Sequence, residues 1–293
     1  MKKIYLQLSG GLGNQLFQFS YASNLAIILK RNLIIDDKSG FNDQYKRRNE
    51  LPLNLFKKFQ NRKLHIWLIF KLEKILKFFF KKKEITFRPW GVFYDDRFSN
   101  KFNKKFLDNV KEKNIFLIGF FQSPKYFYKY LDKIKKNLIK NIKFNPKYKK
   151  FSKLILSSNS VGIGFRIFEE VSKNKLNTVG NIENIKFYQR AINEAYKKNK
   201  NSKFFLFCTH KSELIDKIKF KKKDDIHYLI PENGVKETLS TLLLFSYCRH
   251  HIVSNSTFFW WGAFLSKFKK KNLTISRKFP NKDCFYYFRN SIT

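Results

Sequence analysis

Ile4, Leu6 and Leu8 alternate with Tyr5 and Gln7, glycines follow at Gly10, Gly11 and Gly13, and Leu16 to Leu29 then carries helical apolar spacing. A strand, a glycine turn and a helix in that order admit few folds. With Leu33-Ile34-Ile35-Asp36 as the next strand, they predict the opening βαβ unit of a parallel sheet covered by helices. The first backbone N–H groups of such a helix lack internal partners, and glycines there let an anionic ligand approach closely. A second junction of the same kind stands near the other end, at Ser254-Asn255-Ser256-Thr257-Phe258-Phe259-Trp260-Trp261-Gly262-Ala263. The pair points to two domains facing one phosphate-bearing ligand.

The segments between repeat the alternation. Ile115 to Phe121 reads as a buried strand, and Gln122-Ser123-Pro124-Lys125-Tyr126-Phe127 as a turn that opens a helix. Lys129 to Ser158 is Lys-rich and helical in pattern. Strands are then expected at 160–165, 203–207, 226–229, 251–254 and 273–275, with helices at 187–197, 236–247 and 257–266. At 293 residues the chain suits two domains, divided as 1–150 and 151–293, with the C-terminal tail left open to return to the first. The expected class is α/β, with a doubly wound unit in each half. Ligands of such sheets sit at the carboxyl ends of the strands.

The formal net charge of +39 suits a polyanion binder. Lys far outnumbers Arg and is spread along the chain, however, and no nucleic-acid module signature accompanies it, so no nucleic-acid partner is expected. Lys63 to Lys83 is the segment where charge and apolarity combine. Lys71, Lys74, Lys77 and Lys81 recur at helical spacing among Ile, Leu, Trp and Phe, which gives a basic amphipathic helix. Such a helix either lies on an anionic membrane face or packs in its own domain with its lysines in water. No apolar run is long enough to span a bilayer or serve as a signal peptide, so a cytoplasmic location, peripheral to the membrane at most, is expected. Cys208, Cys248 and Cys284 are three thiols at wide spacing, which indicates neither a disulfide framework nor a zinc site.

Chemistry-bearing residues cluster at the strand ends. Gly10-Gly11-x-Gly13 misses the dinucleotide spacing, but Asn14 and Gln15 add amides suited to sugar hydroxyls. Arg166 follows a strand and can hold two phosphate oxygens in a fork, while Glu169 can pair with it or take a proton from a hydroxyl. Asn255, Ser256 and Thr257 open the aromatic helix with hydroxyls and unpaired N–H groups. No close carboxylate pair for a divalent metal and no Walker lysine loop is present, and adjacent His250 and His251 look like strand-entry residues.

Taken together, Gly10 to Gln18, Gly119 to Phe127 and Asn255 to Trp261 look like the α-1,2-fucosyltransferases of glycosyltransferase family 11. The resemblance runs in order along nearly the whole chain. It implies a GT-B-like fold, two Rossmann-like doubly wound domains facing across a cleft, in which the second domain binds GDP-fucose and the first the sugar acceptor, with inverting transfer that needs no metal or cofactor. The family's His-x-Arg-Arg-x-Asp motif falls on Gly164 to Glu169, where only the first Arg is kept, as Arg166, and Glu169 takes the acidic position. The family's later acidic pair is replaced around Thr209-His210. Arg166, Glu169 and Asn14 are the expected catalytic residues, and Arg166, Asn255, Ser256, Thr257, Gly11, Gly13, Asn14 and Gln15 the expected donor contacts. The expected partners are a nucleotide-sugar and a glycan acceptor, a galactose-type residue of a surface glycan or lipid-linked precursor. A transferase of another GDP-sugar and a non-catalytic, membrane-associated descendant are the alternatives.

Overall fold

Strand β1 (Lys3–Gln7) buries Ile4 and Leu6 on one face and Tyr5 on the other, the pattern of a strand covered on both sides. Helix α1 (Leu12–Ile28) follows directly and ends where Lys30 turns left-handed at φ 50°, letting Arg31 N–H reach Ala26 O at 3.0 Å. The computed structural model describes residues 2–41, 48–51, 64–79, 83–97, 101–107, 113–142, 144–166, 184–198, 201–208, 213–221, 226–229, 235–268, 273–275 and 281–284. They fall into two units, Met1–Asn141 and Ile142–Thr293. The expected division at 150/151 would instead cut the helix Lys149–Ser157 near its start.

Unit 1 continues with β2 (Asn32–Asp36), α2 (Leu64–Phe79), β3 (Ile85–Arg88), β4 (Gly91–Asp96), β5 (Ile115–Gly119) and α3 (Leu131–Asn141). Its sheet runs β2-β1-β5-β4-β3. All neighbours are parallel except β3, which returns antiparallel on the edge. The β3–β4 hairpin was not anticipated from the sequence. Helix α2 lays Ile66 and Phe70 on Tyr5, Ile34, Phe93, Phe116 and Ile118, and so closes one face of the sheet.

That packing corrects the expected lysine stripe. Lys77 points inward, 6% exposed, with its ammonium 2.5 Å from Asp95 Oδ2 and 3.8 Å from Glu73 Oε1. Glu73 is itself fully buried and bound by Arg88 at 2.8 Å, and Asp95 is forked by Arg97 at 2.7 Å. A charge that is buried must be paired, and the strand residues Arg88 and Asp95 supply the partners. Lys71 and Lys74 stay in water, while Lys63 and Lys81 lie outside the described residues.

Unit 2 comprises α4 (Lys149–Ser157), β6 (Asn159–Gly164), α5 (Ile185–Lys198), β7 (Ser202–Phe207), α6 (Glu213–Asp216), β8 (Ile226–Leu229), α7 (Val235–Tyr247), β9 (His250–Val253), α8 (Thr257–Leu265) and β10 (Leu273–Ile275). The expected helical stretch from Lys129 to Ser158 is thus two helices, broken by a short 3-10 turn that starts at Pro146, since proline favours the start of a helix over its interior. The sheet is parallel throughout, in the order β10-β9-β6-β7-β8. On one face Val161, Ile163, Phe204, Leu206 and Ile252 pack against Tyr188, Ala191 and Ile192 of α5. On the other, Gly162 and Gly164 leave room for Phe245, Cys248 and Phe259, so α7 and α8 sit close on β6. The sheet is doubly wound. Trp260 and Trp261 are both fully buried, and Cys208, Cys248 and Cys284 are buried thiols outside any disulfide.

Candidate functional site

In each sheet the chain moves to one side of a central strand and then returns to the other. Unit 1 goes from β1 to β2 and comes back with β5 on the far side of β1; unit 2 goes from β6 through β7 to β8 and comes back with β9 on the far side of β6. The strand order thus reverses between β1 and β5 within unit 1 and between β6 and β9 within unit 2, and open α/β sheets take ligands in the crevice outside the carboxyl ends of the strands at such points. All three sequence motifs lie at these two points.

At the unit 2 crevice, β6 ends at Gly164 opposite Val253 of β9. Two residues on, the Arg166 guanidinium donates from Nη1 to the Asn255 carbonyl, tying the two strand ends together. Asn255 and Ser256 are 4% and 7% exposed, and Arg166 and Thr257 are half-buried. Ser256 is the N-cap of α8 in an extended conformation, and its side chain makes no capping bond. The Ser256 hydroxyl thus leaves its usual capping bond to α8 unmade, and the positive end of the α8 dipole at this loop favours an anion. Ser254 Oγ, fully buried at the foot of the same loop, has no hydrogen-bond partner among the described residues. Glu169, Thr209 and His210 lie outside the described residues.

The unit 1 crevice has the opposite electrostatic character. Gly11 is the N-cap of α1, and the first free N–H, that of Leu12, donates to Glu50 Oε2 at 3.0 Å. A carboxylate already occupies this helix end, so a second anion would meet like charge. Gln15 is fully buried: its Nε2 donates to Gly10 O and Arg48 O, each at 2.8 Å, and its Oε1 accepts from Glu50 N–H at 2.9 Å. Gln18 clasps Ser9 in the same way, at 3.1 Å and 2.9 Å. These amides hold the loop in shape, and Gly13 is buried with them. Gly10 needs to be glycine, with φ at 70° and the site of a Cβ 2.8 Å from Asn14 Nδ2.

Asn14, half-buried, faces the other motif. Its Oδ1 accepts from Gln122 Nε2 at 2.9 Å, which joins the glycine loop to the turn after β5. That turn is shaped by Phe121, whose φ of 48° is unusual for an aromatic residue and whose N–H donates to Asp96 Oδ2 at 2.7 Å. Asp96 is the last residue of β4. Burial, with Glu84 and Asp95 nearby, pushes its carboxyl up to about 8, although the Phe121 N–H pulls the other way.

Sequence reasoning had no signal for Glu50, a cap that comes from 38 residues away. Gln122 stood inside a quoted motif without being given a role.

A model of the family described as Glycosyl transferase family 11 matches residues 3–286. The chain is 26% identical to an α-1,2-colitosyltransferase of Escherichia coli, over 92% of this chain and 89% of that one. It is 24% identical to the O-antigen biosynthesis glycosyltransferase WbnK of Escherichia coli, over 94% of each. Among solved structures, a mutant of Arabidopsis thaliana FUT1 in complex with GDP superposes with a TM-score of 0.52 at 12% identity, covering 95% of this chain and 72% of that one. That likeness is one of fold, and the two doubly wound units are of the GT-B type.

Proposed function

Since the chain belongs to glycosyl transferase family 11, the family its motifs resemble, we propose that it moves fucose from GDP-fucose to a galactose-type hydroxyl, forming an α-1,2 linkage with inversion and without a metal. The acceptor in this reading is a surface glycan or its lipid-linked precursor. The observation that carries it is the tie between Arg166 and the Asn255 carbonyl at the carboxyl end of the unit 2 sheet, beside an α8 N-terminus whose N-cap, Ser256, makes no side-chain capping bond. The contrast with α1, whose Leu12 N–H is taken by Glu50, supports a reading in which the diphosphate lies in unit 2 and the Asn14–Gln122 amide pair meets sugar hydroxyls.

In the transfer, the acceptor oxygen attacks the anomeric carbon from the face opposite GDP as the bond from that carbon to the phosphate oxygen breaks. Positive charge develops on the sugar ring and negative charge on the leaving diphosphate. Arg166 and the first-turn N–H groups of α8 meet that negative charge. The hydroxyl proton passes to a base, for which Glu169 is the candidate carried by the motif. Each charged donor of this kind is worth roughly a hundredfold or more in rate.

A second reading, transfer of a different GDP-linked sugar, is favoured by the relative named as a colitosyltransferase. One screen separates the two: a panel of GDP-sugars offered with galactosides in EDTA. Fucose transfer supports the first reading and turnover of another GDP-sugar alone supports the second. Neither transfer nor hydrolysis of any of them would overturn both.

A further inference from the structure

Helix α2 is apolar on two faces. Its inner face, Ile66 and Phe70, packs on the unit 1 sheet, while Leu68, Leu72, Ile75 and Phe79 recur at four, three and four residues along the outer face. That outer stripe is in water: Ile75 is 55% and Phe79 74% exposed, and the neighbouring Phe78 is 85% exposed. A continuous apolar stripe of this kind on a helix about 24 Å long marks a surface with a partner.

The charges around it select the partner. Lys71 and Lys74 flank the stripe, Lys71 lying over the Trp67 ring at 3.9 Å. The helix's one acid, Glu73, is turned inward and neutralised by Arg88 and Lys77. The outer face is therefore purely basic and apolar. A second copy would bring lysines against lysines. A nucleic acid would leave the exposed phenylalanines in water. A bilayer with anionic headgroups satisfies both features at once, taking the apolar side chains into its interface and the ammonium groups among its phosphates.

We infer that unit 1 docks on anionic membranes by laying the outer face of α2, Leu68, Leu72, Ile75 and Phe79 with Lys71 and Lys74, into the lipid headgroup region. This goes beyond the transfer reaction and does not depend on it. The lysines that act differ from the expected stripe, since Lys77 is spent inside the fold.

The test is co-sedimentation of the full chain with vesicles of phosphatidylcholine alone or mixed with phosphatidylglycerol. Binding is expected with the mixed vesicles and is weak with phosphatidylcholine. Ile75→Ser/Phe79→Ser, which leaves net charge and the buried face alone, should weaken binding tenfold or more. Lys71→Gln/Lys74→Gln should weaken it about 25-fold, near fivefold per lysine. Unchanged thermal unfolding of both variants shows that the fold is intact. Absence of wild-type binding to mixed vesicles overturns the inference. So does wild-type-like binding by Ile75→Ser/Phe79→Ser, which would leave only the diffuse charge of the whole chain. Self-association lost in that variant, with no vesicle binding, would assign the face to a second copy instead.

Discussion

Replacing Gly164 by alanine tests how the altered motif is accommodated. Gly164 closes β6, and a Cβ there would lie 2.3, 2.5 and 2.7 Å from three ring atoms of Phe259 on α8. Carbon atoms in contact prefer separations of about 3.5–4.0 Å, so the ring has to retreat by more than about 1 Å. It has nowhere to go. Phe245 and Phe258 hold it at centroid distances of 5.0 and 5.2 Å, and Phe245 is itself wedged against Gly262, where a Cβ would meet its ring at 2.5 Å. Overpacking of this kind costs about 1–3 kcal/mol, and the crowding of three ring atoms puts Gly164→Ala at the upper end. For a unit of this size, that is a fall in melting temperature of roughly 5–10 °C. Because Arg166 lies two residues on, GDP affinity should fall as well. Phe259→Leu provides the internal check: combined with Gly164→Ala it should cost about 1–3 kcal/mol less than the two single changes summed, since it removes the ring that clashes. Urea unfolding of the four proteins measures this. A Gly164→Ala protein within about 0.5 kcal/mol of the parent, or strict additivity in the cycle, would refute the packing argument.

The other predictions concern unit 1. Gln15→Ala orphans Gly10 O, Arg48 O and Glu50 N–H together and should destabilise by about 3 kcal/mol or more in urea unfolding; the glycine loop is then held by these amides and not by glycine alone. Asp96 carries a pH signature: its folded pKa, about 8, lies above its unfolded value. Its contribution is thus full below about pH 4 and is lost as pH rises through about 8. Unfolding free energy measured at intervals between those limits should fall for the parent and stay flatter for Asp96→Asn, which keeps an acceptor for the Phe121 N–H.

The strand and helix alternation was legible because apolar period changes cleanly between two and about 3.6 residues in this chain. The three motifs were legible as residues at strand ends. Which strand ends become neighbours was not: Arg166 and Asn255, both in unit 2, are 89 residues apart and meet only because β9 returns to lie beside β6. The face of α2 was misread for a related reason. Helical spacing groups Lys71, Lys74 and Lys77, but which side is buried depends on Asp95 and Arg88, carried by the overlooked β3–β4 hairpin. That hairpin did leave a trace in the β-prone Ile85 to Phe87 and Val92 to Tyr94 on either side of Pro89-Trp90-Gly91. Glu50 left none, because a cap donated from a distant loop has no periodicity to announce it.

In the proposed function Arg166, tied to the Asn255 carbonyl, holds the diphosphate of a GDP-sugar in unit 2. Calorimetric titration of GDP into the parent and into Arg166→Ala tests it most directly. Binding by the parent is expected, with an affinity lower by roughly 10- to 100-fold in the variant, the loss of a charge-assisted hydrogen bond to phosphate. Equal affinity in the two proteins, both of them folded, would contradict it.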